Sequence, residues 1–269
     1  MLNYVCNITA IVLYIVASVY LYTNVARLQQ ANRNWLLSFA GLAIVAHFFG
    51  LVLLVFQPGG YQLGFFIALS LITCVINIIV ALSGLRLPIL NLFLFLFPFS
   101  ALSVAAALFG HSPLTPLHTI SAGLLCHITL SVLAYALLTI SALQALFLAW
   151  QDHQLRHKHT TGKVRLLPPL QTMETLLFDV IWAGQITLTV SIVSGFWFIQ
   201  DMFAQSLVHK TVLSIVAWLL YSILLFGRHR QGWRGSYAIR WTLAGFCTLM
   251  LAYFGSKLVI ELVLGGQTI

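Results

Sequence analysis

Apolar residues in this chain neither alternate nor recur on a single helical face. They run on for about twenty residues at a time, stop at short polar or proline-glycine breaks, and begin again. Eight such segments can be drawn, at about 3–23, 36–56, 64–83, 89–109, 121–150, 176–200, 209–227 and 237–264. The hydrocarbon layer is about 30 Å thick and an α-helix rises about 1.5 Å per residue, so each segment is long enough to cross it. The fifth and eighth exceed a minimal span, which predicts tilt or an extension beyond the lipid. Breaks fall at Pro58-Gly59-Gly60, Pro88, Pro113 to Pro116 and Pro168-Pro169. The pattern predicts an all-α, polytopic transmembrane bundle of about eight helices.

Composition agrees with that pattern: 61% of the residues are hydrophobic, 7% are charged, and the mean hydropathy is +0.99. A water-soluble domain of this size could not hide so much apolar surface, so membrane lipid is the expected solvent. The formal charge of +8 would suit nucleic acid, but no aromatic or glycine-rich binding face accompanies it, and topology accounts for it better. Arg27 and Arg33 lie between the first two segments, Arg86 between the third and fourth, and Arg156, Lys158, Lys163 and Arg165 between the fifth and sixth. Arg228, Arg230, Arg234 and Arg240 surround the loop between the last two. Of the thirteen Lys and Arg, only Lys210 and Lys257 fall toward the other side. Positive residues collect on the cytoplasmic side, so both termini are expected to be extracytoplasmic.

The link 151–171, with His153, His157 and His159 among its cations, resembles a metal-binding tract but reads more simply as a solvated basic cytoplasmic loop beside anionic lipid. No second soluble domain is visible, so 1–269 is expected to be a single membrane domain. Cys6, Cys74, Cys126 and Cys247 lie in apolar stretches and form no C-x-x-C pair, so neither a disulfide framework nor a thiol-redox motif is expected. The start of the chain has no basic leader and no small-residue cleavage site, and its first apolar stretch reads as a retained span.

Ionisable side chains at membrane depth are costly unless bonded, hydrated or liganded, and function is sought there. His47 lies near the middle of the second segment, where an imidazole can ligate haem iron or bond a neighbouring helix. His127, Ser131, Tyr135 and Thr139 follow one another at i, i+4 in the fifth segment and share one face, which must meet protein or a cavity. That stripe suits either an axial ligand with hydroxyl support or interhelical bonding. The seventh segment opens with His209-Lys210, a second nitrogen ligand beside a cation suited to a haem propionate or to the lipid headgroups. Ser214, Trp218 and Tyr221 continue along its face. Glu174, Asp179, Lys257 and Glu261 lie near segment ends and read as boundary residues or local ion pairs. His111 and His118 sit in a proline-stiffened outer loop. No P-loop, H-E-x-x-H, G-x-S-x-G or facing carboxylate pair occurs, so no side-chain catalytic constellation is found.

The closing stretch carries Trp218-Leu219-Leu220-Tyr221, Gly232-Trp233-Arg234-Gly235, Gly245-Phe246 and Tyr253-Phe254-Gly255. The fifth segment adds Cys126-His127-Ile128, Ser131 and Ala134-Tyr135. These elements resemble the cytochrome c assembly family, the CcsA-type haem-handling membrane proteins, most strongly over about 117–269. Within it they are most similar to the YpjD-like inner-membrane group of proteobacteria. The resemblance implies a multi-pass protein of the bacterial inner membrane that binds or handles b-type haem in cytochrome c biogenesis. Another membrane or periplasmic protein would be its partner. The family's tryptophan-rich external segment is reduced here to Gly195-Phe196-Trp197-Phe198-Ile199-Gln200-Asp201. Phe226-Gly227-Arg228 stands where members have L-H-x-R, and no histidine follows His229. Of the ligands implied, only His127 transfers residue by residue; His47 and His209 are candidates from chemistry and position, with Lys210 beside them. The competing class is a non-haem accessory or regulatory subunit of a membrane transporter that keeps the scaffold.

The charge distribution has a direct test. In a cysteine-free background, Gln62→Cys should react with a membrane-impermeant thiol reagent on intact spheroplasts, whereas Gln231→Cys should react only after permeabilisation. The reverse pattern would invert the topology.

Overall fold

The computed structural model describes residues 1–57, 60–110, 121–157, 167–198 and 208–255. Expectations placed on His111, His118, Lys158, His159, Lys163, Arg165, Asp201, Lys257 and Glu261 lie outside the described residues. Among the described residues, eight helical stretches are long and apolar enough to cross a membrane, the fourth and eighth counted with the adjoining turns: they are built on α1 (Leu2–Ala26), α2 (Arg33–Val55), α3 (Phe65–Ser83), α4 (Phe93–Phe109), α5 (Ala122–Arg156), α6 (Leu170–Phe198), α7 (Val208–Gln231) and α8 (Ser236–Met250). A 3-10 turn, Leu90–Leu92, leads into α4, and α8 widens into a π turn over Leu251–Gly255.

Three features at the ends of the expected segments have local causes. Between α2 and α3 a short antiparallel ribbon forms, β1 (Phe56–Gln57) with β2 (Gly60–Tyr61), closed by edge-to-face packing of Phe56 and Tyr61 with ring centroids 5.3 Å apart. Helix α5 runs to Arg156, and its 35 residues make it about 52 Å long. Its last turns therefore belong to the basic loop, where Arg156 pairs with Asp152 at 2.9 Å. Helix α6 begins at Leu170, directly after Pro168-Pro169, because the Met173 N–H bonds the Pro169 carbonyl as a first helical turn requires.

The chain divides into two compact units, one carrying α1–α4 and the other α5–α8. In the first, α1 packs on α2, α2 on α3, α3 on α4, and α4 back on α1. Helix α2 is capped by Asn32, whose side chain accepts from the Asn34 and Trp35 amides. Next to it the Arg33 guanidinium donates to the carbonyls of Gly84 and Leu85 at the end of α3, where a cation satisfies the unpaired carbonyls of a helix terminus. Apolar packing centres on Tyr14, Phe93 and Phe97, all fully buried; Phe93 and Phe97 stack with centroids 4.3 Å apart. At Gly50 an added Cβ would lie 2.6 Å from Asn7 Oδ1, so the missing side chain lets α2 approach α1.

A seam of polar groups runs through this unit. His47 bridges Tyr14 of α1 and Ser70 of α3, at 3.2 and 2.8 Å. Thr73 of α3 meets Ser103 of α4 at 2.8 Å, and one turn further along Asn77 donates to Ser100 at 2.6 Å. Each bond joins neighbouring helices through side chains that hydrocarbon could not solvate.

The second unit has the same cyclic order: α5 packs on α6, α6 on α7, α7 on α8, and α8 on α5. Gly184 of α6 meets Leu138 of α5, and Gly245 of α8 meets the Tyr221 ring of α7; a Cβ would come within 2.6 and 2.8 Å respectively. Tyr135 of α5 donates to the Leu249 carbonyl at 2.8 Å, just before the π turn in which Tyr253 packs against the Tyr135 ring at 5.5 Å. The α7–α8 loop is locked from beneath. Glu174 accepts from Arg228 at 2.9 Å and faces Arg234 at 3.7 Å. Arg228 also donates to the Trp233 carbonyl and lies over the Phe178 ring at 4.5 Å. Gly232 and Gly235, at φ +68° and +54°, supply the left-handed turns that fold Trp233 onto Gly227.

Because Glu174 holds two guanidinium groups and is itself nearly buried, Glu174→Gln should lower unfolding stability by about 2 kcal/mol, the scale of a charge-assisted hydrogen bond lost. Gly227→Ala, whose Cβ would overlap the Trp233 ring, should also speed tryptic cleavage at Arg230 and Arg234. Thermal melts in detergent and a proteolysis time course read both. Unchanged values would show that the lock does not hold the loop.

Candidate functional site

The hydroxyl stripe on α5 does face protein. His127 lies on the second turn of α5, half-buried, against α6. Its Nδ1 is 3.0 Å from the Ser191 carbonyl and 3.1 Å from Ser194 Oγ. Its Nε2 has only a marginal 3.5 Å contact, to Ser131 Oγ. Ser131 is strongly engaged elsewhere, donating to the His127 carbonyl at 2.8 Å and standing 2.8 Å from Ser191 Oγ. Ser194 donates back to the Ser191 carbonyl at 2.7 Å. One imidazole and three serine hydroxyls thus form a compact nest between α5 and α6.

Further along α6 the polar face turns toward α7. Trp218 Nε1 donates to Thr189 at 2.8 Å, and Gln185 donates to Ser222 at 2.7 Å and to the Trp218 carbonyl at 3.1 Å. Tyr221 reaches the Thr242 carbonyl of α8 at 3.3 Å. The α7 face carrying Trp218 and Tyr221 is therefore committed to its neighbours.

The three histidines read from the sequence stand in different surroundings. His47 is fully buried in the first unit, and both of its ring nitrogens are bonded to hydroxyls. His209 is exposed on the first turn of α7, with Lys210 half-buried beside it. His127 and His209 belong to one unit, on helices that stand diagonally in its ring. Among the described residues, no three His, Cys, Asp or Glu side chains gather as a closed metal site requires. His127 and His209 each present an imidazole in the second unit, a donor type that haem iron takes.

Ser191 and Ser194 are the members of this site that sequence reasoning missed. Their signal was present: hydroxyls at i, i+3 in an otherwise apolar stretch of α6, the spacing that places both on one face. Nothing in their own neighbourhood marks which helix they address. Glu174, read as a boundary residue or local ion pair, does lie in the first turns of α6, but its ion pair is a tertiary one, with Arg228 of α7.

The family model described as Cytochrome C assembly protein matches residues 5–264. Over 265 residues the chain is 34% identical to the inner membrane protein YpjD of Escherichia coli strain K12, covering 94% of this chain and 98% of that one. It is 28% identical to the cytochrome c biogenesis protein CcsA of Chlamydomonas reinhardtii, over 61% of this chain and 45% of that one. To the protein HemX of Brevibacillus brevis it is 26% identical, over 53% of this chain and 55% of that one. No solved structure matches the chain. With eight helices among its described residues long and apolar enough to cross a membrane and a family match over residues 5–264, this multi-pass inner-membrane protein belongs to the cytochrome c assembly protein family.

Proposed function

We propose that this protein binds b-type haem at the second unit, where His127 would be a ligand to its iron, and handles that haem in cytochrome c biogenesis. The observation that carries the reading is the setting of His127. It is a half-buried imidazole with one nitrogen tied to protein and the other barely engaged, on a helix whose motif resembles the family's. A metal-ligating histidine is usually held in this way, its second nitrogen donating to a carbonyl or hydroxyl behind it. His209 supplies a second imidazole in the same unit, and Lys210 a cation beside it for a propionate. His47 could ligate iron only by giving up Tyr14 or Ser70, so its reading is that of a clasp within the first unit. When bound, haem supplies an iron centre whose ligation and potential are set by these imidazoles; the chain's own part is to orient them and exclude water. The name of the CcsA relative supports placing this activity in cytochrome c biogenesis.

The spectrum of the purified protein tests this. After expression with added haem and extraction in mild detergent, a Soret band is expected, with sharp low-spin bands on reduction. His127→Ala should lose it while keeping its helical circular dichroism. His47→Ala should lower thermal stability yet retain haem per mole of folded protein. A wild-type protein that stays colourless would favour the non-haem accessory class.

A further inference from the structure

The protons in the serine nest can be counted, and the count singles out one atom. A carbonyl oxygen cannot donate. The 3.0 Å approach of His127 Nδ1 to the Ser191 carbonyl therefore needs the imidazole proton on Nδ1. Ser194 has a single hydroxyl proton and places it on the same carbonyl at 2.7 Å, which leaves its oxygen to accept from Nδ1 at 3.1 Å. Both neighbours of Nδ1 thus act as acceptors. On the other side of the ring, the hydroxyl proton of Ser131 has a partner at 2.8 Å in the His127 carbonyl. Its contact with Nε2 is 3.5 Å, at the outer limit for a hydrogen bond. The neutral ring therefore carries a lone pair on Nε2 that no well-placed donor among the described residues reaches.

We propose that the Ser191 carbonyl and the Ser194 hydroxyl fix His127 as its Nδ1–H tautomer, so that Nε2 is the open ligand atom of the site and Ser194 is a positioning residue for it. The consequence for metal binding rests on the haem reading above; the tautomer itself does not. His47 shows the contrast within the same chain. Both of its partners are hydroxyls, each able to donate or accept, so its surroundings select neither tautomer and leave neither nitrogen open. The difference between a carbonyl and a hydroxyl behind the ring separates a histidine set to ligate from one set to join helices.

Two measurements on the full chain decide the matter. In the haem-free protein labelled with 15N-histidine, with His127 assigned by difference against His127→Gln, the His127 signals should show a protonated Nδ1 and an unprotonated Nε2. Haemin titration should then give about 10-fold weaker binding for Ser194→Ala, the lower end of what loss of a supporting hydrogen bond costs a metal site. Ser194→Thr, which keeps the hydroxyl, should restore it. A proton found on Nε2 would overturn the inference whatever the absorbance spectrum shows, as would equal haemin affinity in wild type and Ser194→Ala. If the tautomer is as stated but the wild type takes up no haemin, the haem reading fails and the hydrogen-bonding inference stands.

Discussion

A hydroxyl, amide or imidazole inside the hydrocarbon layer has no water to bond, and must find its partner in the protein. Nearly every specific feature of this structure follows from that one constraint. In the first unit it produces a seam through four helices, in which Tyr14, His47 and Ser70 join α1, α2 and α3 while Thr73, Asn77, Ser100 and Ser103 join α3 to α4. In the second it sends Tyr135 to an α8 carbonyl and pairs α6 with α7 through Gln185, Thr189, Trp218 and Ser222. Apolar packing alone discriminates poorly between helices when lipid is as apolar as Leu; bonds of this kind, worth about 0.6 kcal/mol each on average, specify which faces meet.

The glycines complete what the polar bonds begin. Gly50, Gly184 and Gly245 sit where a neighbouring side chain occupies the space of a Cβ, so α1 and α2, α5 and α6, and α7 and α8 can close to distances at which side-chain hydrogen bonds and dispersion contacts are both made. At the charged end the same economy of contacts is electrostatic: one carboxylate, Glu174, answers Arg228 and Arg234 and so ties the start of α6 to the loop between α7 and α8.

The spans were legible because their signal is length and hydropathy, which need no partner to be read. Local punctuation was legible as a break, as at Pro168-Pro169, although α6 starts directly behind it at Leu170 and not at about 176. The end of α5 was not, since the helix continues past the apolar run into charged residues that support it by an i, i+4 pair, Asp152 with Arg156. The site was half legible. His127 stood out because an imidazole in an apolar helix is costly, and its i, i+4 stripe showed a face turned to protein. Ser191 and Ser194 did not stand out: serine is tolerated in membrane helices at little cost by bonding its own preceding turn, and only the tertiary pairing of α5 with α6 gives those two hydroxyls a histidine to hold.

The two buried-face histidines then divide by what lies behind them, and chemistry follows from that division. An imidazole between two hydroxyls satisfies both nitrogens and leaves the ring no open donor, which is the condition for stable packing at 0% exposure, as at His47. An imidazole backed by a main-chain carbonyl is forced into one tautomer, and its remaining lone pair needs a proton donor or a metal. At His127 the nearest donor is spent on the helix's own carbonyl. Joining α5 to α6 therefore does not by itself satisfy His127: its Nδ1 and the serines make the helix contact, while Nε2 keeps only the 3.5 Å approach of Ser131.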